Sequence, residues 1–253
     1  MHYSSWDMHC HLGWFEDPVR TARGAAARGA GLLAVTVTPQ EYQNVAGLLQ
    51  AEKNVRLGVG LHPWWVRDAA GADALIGLLP ETRLVGEVGL DASARHVGTW
   101  DAQLAAFERI CAACAQTSDA AAPKVLSVHA VRSAGAVLDV LERTGAAECC
   151  RCVLHWFSGS SEELWRAVGL GCSFSLGERA LGTRRGREYV RILPAACLLS
   201  ETDLPESPNA PGGASAVLAS LERAVSAVAS ARDASPEEVR RLFAINAAAL
   251  LDV

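Results

Sequence analysis

The sequence has little lysine, no excess of basic charge and no long apolar run, and each shortage excludes a class of protein. Only two lysines occur among the 23 basic residues, and the formal net charge is −5. A protein that binds nucleic acid through bulk charge is basic, so any such binding here needs a local basic patch or bound cations. No apolar run reaches the roughly 20 residues that cross a bilayer, and we expect no membrane-spanning segment.

The N-terminal residues Met1-His2-Tyr3-Ser4-Ser5 have neither the basic start nor the apolar core of an export signal. We therefore expect a cytoplasmic protein without membrane association. The eight cysteines are then expected to be free, mostly buried thiols. A structural zinc bound by Cys111, Cys114 and the cysteines of 149–152 is the alternative, although no second Cys-x-x-Cys or histidine stands at finger-like spacing.

Short β-favouring runs alternate with longer Ala-rich, helix-like stretches along the 253 residues. The amphipathic stretch 99–116 is the clearest helix, with apolar residues on one stripe. The predicted strands are 5–9, 32–38, 55–60, 83–87, 124–128, 152–154, 172–176 and 197–200. Eight strands alternating with helices predict an α/β fold, a TIM-like (β/α)8 barrel forming a single domain over 1–253. A doubly wound open sheet is the rival fold.

Ionisable side chains stand at or just after the ends of six of the eight predicted strands. Because the carboxyl ends of barrel strands converge on one mouth, these groups are expected to meet where active sites lie. Burying them there without partners would be costly, so the pattern predicts a metal site. The set is His9, His11, His62, Glu87, His129, His155 and Asp203.

His9 and His11 are two residues apart, and in an extended strand such residues point the same way. They can therefore bind one metal ion, while Cys10 between them points away. The whole ligand set is sufficient for two divalent ions that activate a shared water. We assign His9, His11, Glu87 and Asp203 to one ion and Glu87, His129 and His155 to the other.

Glu87 is expected to bridge the two ions. Related barrels sometimes use a carbamylated lysine as the bridge, but neither Lys53 nor Lys124 ends the fourth predicted strand. Asp203 is also placed to accept a proton from the attacking water.

Six motifs, in this order along nearly the whole chain, resemble the TatD family of metal-dependent deoxyribonucleases within the amidohydrolase-like barrels. They are residues 7–12 (DMHCHL), 60–63 (GLHP), 86–91 (GEVGLD), His129, 155–159 (HWFSG) and 201–205 (ETDLP).

The resemblance implies two divalent ions, magnesium or manganese with zinc open, and hydrolysis of DNA phosphodiester bonds. It implies exonucleolytic action on single strands or 3′ ends. It also makes His62 a contact to the scissile phosphate, so the catalytic residues are expected to be His62, Glu87 and Asp203. Asp91 and Glu201 are implied to be supporting residues.

The short chain and the GLHP and LHWFSG motifs resemble the QatD branch of the family, which belongs to anti-phage defence cassettes. That implies other Qat proteins as partners. Two departures from the TatD pattern weaken ordinary DNA-strand binding: Arg132 stands one place late, and 207–211 lacks the family's arginine. Two alternatives follow: an amidohydrolase-type enzyme acting on a C–N or ester bond, which the His-rich ligands favour, or a weakly catalytic partner in a defence complex.

Two groups near the predicted mouth are candidate substrate contacts. Aromatic residues could stack on bases or cap the barrel core: Trp64, Trp65, Trp156 and Phe157. Arginines after the seventh strand could bind phosphate or form a solvated helix face: Arg179, Arg184, Arg185, Arg187 and Arg191.

Overall fold

Strands and helices alternate along the chain, which the computed structural model describes from residue 3 to residue 252. Within these residues, strands β1 to β9 are Ser5–Cys10, Ala30–Ala34, Val55–Leu57, Val59–Leu61, Leu84–Asp91, Val125–Val131, Arg151–His155, Ser173–Leu176 and Leu198–Ser200. Helices α1 to α11 are Pro18–Ala26, Pro39–Leu49, Ala69–Leu78, Trp100–Thr117, Ala134–Arg143, Ala146–Cys149, Ser161–Gly169, Glu178–Gly182, Arg184–Ile192, Gly213–Arg232 and Pro236–Leu251.

Helix starts follow the capping chemistry of the sequence. Ser235 accepts a hydrogen bond from the Glu238 backbone at 3.2 Å, and the Glu238 carboxylate accepts one from the Ser235 backbone at 2.8 Å. This capping box, with a proline at the first helical position, begins α11. Asp17 caps α1 by accepting from the Arg20 backbone at 2.8 Å.

The chain forms two compact units, each built from separated segments. The first contains the chain up to Ala34, Asn44–Leu57 and the chain from Phe174 onwards. Its strands pair in parallel, β1 with β2, β2 with β3, and β8 with β9. Cys10 packs with Leu12 and Leu221 in its hydrophobic core, on the side predicted by strand alternation.

The second unit contains Val35–Gln43 and Gly58–Ser173. Its strands β4, β5, β6 and β7 pair in parallel in that order. The predicted amphipathic helix is α4, and its stripe is buried at Phe107, Ile110, Cys111 and Cys114. Leu104, which also belongs to the predicted stripe, is only half-buried. The single-domain organisation over 1–253 stays a prediction.

The predicted third strand is two strands separated by Gly58. β3 pairs with β2, whereas β4 pairs with β5. At the change of partner, the Thr36 hydroxyl donates to the Gly58 carbonyl at 3.0 Å and accepts from the Gly60 N–H at 3.0 Å. A side chain thus replaces the missing ladder bonds, an exchange that β-propensity does not reveal.

No cysteine in the described part of the chain forms a disulfide bond, as predicted; Cys149 is exposed and Cys197 half-buried. Among residues 3–252 no cysteine belongs to a group of ligand atoms close enough to hold a metal ion, so the zinc alternative has no support. Burial raises the pKa of Cys114 to about 12, so this thiol is protonated at neutral pH.

One helix departs from the expectation that no segment could span a membrane. Among the described residues, α10 is long and apolar enough by length and composition. However, Val217, Leu221, Ala224 and Val228 on this helix are buried in the protein. A buried face of this kind is typical of a core helix.

Candidate metal centre

Within the first unit, two predicted histidine ligands face one predicted carboxylate. Asp203 Oδ1 lies 3.3 Å from His11 Nε2 and 3.7 Å from His9 Nε2. The Asp203 N–H donates to the His9 carbonyl at 2.9 Å, and the His11 ring stacks on Trp14 at 4.5 Å. The structure therefore brings together His9, His11 and Asp203, as the sequence predicts for one ion.

The Asp7 carboxylate binds the backbone at His9 and at Thr202, which precedes Asp203. This role was not predicted from the sequence. The buried Asp7 carboxylate accepts from the Thr202 hydroxyl at 2.5 Å, the Thr202 N–H at 3.0 Å and the His9 N–H at 3.2 Å. Burial raises the pKa of Asp7 to about 7 against the opposing effect of these hydrogen bonds. The sequence signal that could have indicated this role is the position of Asp7 inside the DMHCHL motif.

A second supporting carboxylate lies beside Asp203 in sequence. Glu201 is buried and accepts a short hydrogen bond from the buried Ser175 hydroxyl. The bond joins the segment after β9 to β8, and so fixes the chain just before Asp203. This agrees with the supporting role that the family resemblance implies for Glu201.

In the second unit, three imidazoles converge on the Glu87 carboxylate. Its Oε1 lies 2.7 Å from His129 Nδ1, 2.9 Å from His155 Nε2 and 3.4 Å from His62 Nε2. All four side chains are buried. The structure thus brings Glu87, His129 and His155 together, the predicted ligands of the other ion, with His62 beside them.

Glu87 and His129 lie within their strands rather than at the strand ends, where the sequence placed them. β5 and β6 continue to the pair Asp91 and Val131, with a register shift between Val85 and Val88. At the shift the Glu87 N–H donates to the Thr36 carbonyl at 2.8 Å. The strand nevertheless continues past Glu87, so the predicted end at residue 87 was four residues too early.

Gly89 allows the two strands to stay close beyond this point. Its φ is +142°, and a Cβ there would lie 2.1 Å from the His129 carbonyl oxygen. Only glycine fits such a backbone at such a distance, which accounts for the glycine between Glu87 and Asp91.

The hydrogen bonding of His62 favours a substrate contact over a metal ligand. Its Nδ1 accepts the Trp64 backbone N–H at 3.1 Å. In the neutral ring the proton is then on Nε2, which makes Nε2 a donor without a free lone pair. Such a nitrogen can donate to an anionic oxygen but cannot bind a cation.

Asp91 supports His129 from the side away from Glu87. Its Oδ2 lies 3.5 Å from His129 Nε2 and accepts from Trp64 Nε1 at 2.6 Å. Burial alone would raise the pKa of Asp91, but His129, Ser93 and Trp64 at its oxygens hold it well below its ordinary value. Burial alone would lower the pKa of His129, yet its bonds to Asp91 and Glu87 raise it.

The spacing of these donors suits a bound cation. His129 Nδ1 and His155 Nε2 are 3.3 Å apart, and each lies within 2.9 Å of Glu87 Oε1. Ligands at about 2.1 Å from one divalent ion are roughly 3.0 to 3.4 Å from each other. The two histidine nitrogens have this spacing, whereas the Glu87 oxygen lies closer to both, at hydrogen-bond distance. Imidazole and carboxylate are ligands of zinc and manganese, and the carboxylates also suit magnesium.

Comparison with known proteins assigns the chain that carries this donor set to a family. The model of the family described as TatD related DNase matches residues 6–252. The chain belongs to this family. Among curated relatives, it is 30% identical over 191 residues to a protein named 3′-5′ ssDNA/RNA exonuclease TatD from Citrobacter rodentium, a match covering 73% of the chain and 70% of the relative.

Solved TatD structures share the fold. The TatD homologue YjjV of Escherichia coli K12 superposes with a TM-score of 0.77 at 23% identity and covers 100% of both chains. A TatD family hydrolase from Entamoeba histolytica gives 0.80 at 16% identity and covers 99% of both. The likeness confirms the predicted TIM-like α/β fold, and the family match confirms the predicted class of metal-dependent hydrolase.

The arginines after β8 in this TatD-family chain serve different purposes. Arg187 donates to the carbonyls of Leu181 and Gly182, at 3.1 and 2.9 Å. Arg184 is largely exposed and pairs with Glu188 on the same helix. Arg179 differs, because its Nη1 lies 4.0 Å from Asp203 Oδ2 while its other nitrogen pairs with Glu206. Of these three, Arg179 lies beside a predicted metal ligand.

Proposed function

We propose that this TatD-family enzyme hydrolyses phosphodiester bonds of single-stranded DNA from the 3′ end. The proposed metal ligands are His9, His11, Glu87, His129, His155 and Asp203, sufficient for two divalent ions. The observation that carries the proposal is the convergence of His129 and His155 on one oxygen of Glu87. The curated relative from Citrobacter rodentium supports the choice of substrate.

The divalent ions, when bound, would supply an activated water and charge neutralisation at the phosphate. His62 would donate from Nε2 to a phosphate oxygen, because its Nδ1 is held by the Trp64 N–H. Asp203, partly exposed, would take the proton released by the water. Asp7 and Asp91 would keep the ligands in place from behind. That Glu87 serves both ions stays a prediction.

The test is digestion of a 5′-labelled single-stranded oligonucleotide with magnesium or manganese, with and without EDTA. We expect a ladder that shortens from the 3′ end, is abolished by EDTA, and is at least about 100-fold slower in Glu87→Ala, by analogy with loss of a catalytic electrostatic group. Glu148→Ala, an exposed glutamate on α6, is the matched control. Absence of metal-dependent cleavage, or full activity in Glu87→Ala, would contradict the proposal.

We further propose that the chain is the QatD-type component of an anti-phage defence cassette, acting in the cytoplasm with other Qat proteins. The GLHP and LHWFSG motifs support this, as does the short 207–211 loop. In the structure Ala210 of this loop bonds through its backbone to Trp14 and Glu16, at 3.0 and 3.1 Å. The loop therefore lies against the segment after β1.

Genetic neighbourhood and co-purification test this role. We expect neighbouring defence genes and recovery of their products with the tagged chain. Phage protection should fall in an Asp203→Ala strain and persist in a Glu148→Ala strain. Protection retained without Asp203 would favour the weakly catalytic alternative.

The nitrogen-rich donor set keeps one further activity open, hydrolysis of a C–N or ester bond. Four of the six proposed ligands are histidines, and imidazole suits zinc or manganese better than magnesium. Protein purified without added metal should be assayed for bound metal and then with cyclic amides and esters. Turnover of such a substrate that depends on Glu87, without DNA cleavage, would select this activity.

A further inference from the structure

Two neighbouring tryptophans stay exposed beside the second unit's buried histidines. Trp64 is 44% exposed and Trp65 is 39% exposed. Their rings lie 6.0 Å apart with an angle of 24° between the planes. Phe157, another aromatic candidate, is buried and belongs to the core. Contiguous exposed apolar surface is typical of a binding site, whereas single exposed apolar side chains are ordinary.

His96 extends the pair into a three-ring stack. Its ring lies 4.6 Å from that of Trp64 with an angle of 9° between the planes. Among residues 3–252 its buried Nε2 has no hydrogen-bond partner. The loop that carries His96 is tied down, because Gln103 Nε2 donates to the His96 carbonyl at 2.9 Å. We call Trp64, Trp65 and His96 the aromatic shelf.

The aromatic shelf is held in place and adjoins a proposed catalytic residue. Trp64 Nε1 donates to Asp91 at 2.6 Å, which fixes the indole. The His62 ring packs edge-on against both tryptophans, at 4.8 Å from Trp64 and 5.5 Å from Trp65. A group that stacks on the shelf would therefore lie next to the proton donor of the proposed phosphate contact.

We propose that the aromatic shelf binds an unpaired nucleobase next to the scissile phosphate. This inference rests on the proposed nuclease function and adds the reason for selectivity toward single strands. Every base has a π face, so aromatic stacking tolerates any sequence, but it requires a base that has left its duplex. Because the chain is acidic overall, stacking also supplies affinity that bulk charge does not.

Trp65 is the residue to change, because removing Trp64 would also disturb Asp91. The variants are Trp65→Ala, Trp65→Phe and the control Trp165→Ala, which removes an exposed tryptophan on α7. Binding is measured in EDTA, where cleavage stops, by fluorescence anisotropy of labelled single-stranded oligonucleotides. One series has normal bases, and another has a single abasic position among the last three nucleotides.

We expect Trp65→Ala to weaken binding of the normal strand about 5- to 100-fold. Trp65→Phe should recover most of this loss, and Trp165→Ala should match the unchanged protein. At one abasic position the unchanged protein should itself bind more weakly, and Trp65→Ala should then have no additional effect. Equal binding by Trp65→Ala and the unchanged protein would overturn the proposal.

Cleavage of the same strands with manganese separates this inference from the proposed function. If the unchanged protein cleaves while Trp65→Ala binds and cleaves equally well, the shelf proposal fails and the nuclease stands. If the unchanged protein binds the strands without cleaving them, and Trp65→Ala binds them more weakly, stacking of a base on the shelf stands and the proposed nuclease activity fails. If it neither binds nor cleaves, both are overturned.

Discussion

The Thr202 residue donates two hydrogen bonds to the buried carboxylate of Asp7, from its hydroxyl at 2.5 Å and its backbone N–H at 3.0 Å. Asp7 lies two residues before His9, and Thr202 lies one residue before Asp203. The pair therefore joins two segments that are far apart in the sequence and that carry the proposed ligands His9 and Asp203. Because Asp7 is fully buried, losing a donor leaves the carboxylate poorly solvated.

Thr202→Val keeps the shape of the side chain but removes the hydroxyl donor. We expect the free energy of unfolding to fall by about 1–3 kcal/mol, the usual cost of leaving a buried hydrogen-bond acceptor without its donor. Urea denaturation in EDTA measures it without a contribution from metal. Thr202→Ser keeps the hydroxyl and should lose much less. Equal stability of the valine and serine variants would show that the hydroxyl contributes nothing.

The grouping of the proposed ligand residues was predictable because they share one kind of position in the sequence. Polar side chains at the ends of apolar runs are unusual, and parallel strands bring such ends to one side of a sheet. This rule groups Glu87 with His129 and His155, and His9 with Asp203, as the structure does. The strand ends themselves were less accurate, since the bond from Glu87 to Thr36 interrupts the ladder within β5.

The supporting residues were not predictable in the same way. The bond between Asp7 and Thr202 joins residues 195 positions apart, and no local pattern specifies which buried donor meets which acceptor. The stacking of His96 on Trp64 depends likewise on the course of the loop after β5. Propensity and periodicity describe one segment at a time, whereas these contacts depend on tertiary packing.

Asp91→Asn tests whether Asp91 supports His129 as a metal ligand. A carboxylate behind a ligating histidine orients the ring, and its loss commonly weakens metal binding about 10- to 100-fold. We expect the manganese concentration for half-maximal cleavage to rise by that factor, with a near-normal rate at saturating metal. Asp101→Asn is the matched control, because Asp101 is an exposed aspartate in the first turn of α4. An unchanged metal requirement in Asp91→Asn would count against the role.

Metal binding should stabilise the folded protein before any substrate is added. At 100 times the dissociation constant, a ligand that binds only the native state contributes about 2.7 kcal/mol. For a chain of this size that raises Tm by roughly 5–10 °C. Manganese should produce the shift, EDTA should reverse it, and Glu87→Gln should reduce it strongly. Glu148→Gln should keep the full shift, and the same shift in Glu87→Gln would place the metal elsewhere.

Arg179→Ala tests whether the arginine beside Asp203 contacts the nucleic-acid backbone. Each phosphate contact on a single strand contributes about 0.7 to the slope of log affinity against log salt. We expect the variant to bind an oligonucleotide several-fold more weakly at low salt, with the slope reduced by about that amount. Arg184→Ala is the matched control, since Arg184 is largely exposed and pairs within its own helix. If both variants keep the original slope, Arg179 holds only Glu206 and Asp203, and the phosphate contacts must come from the metal ions and His62.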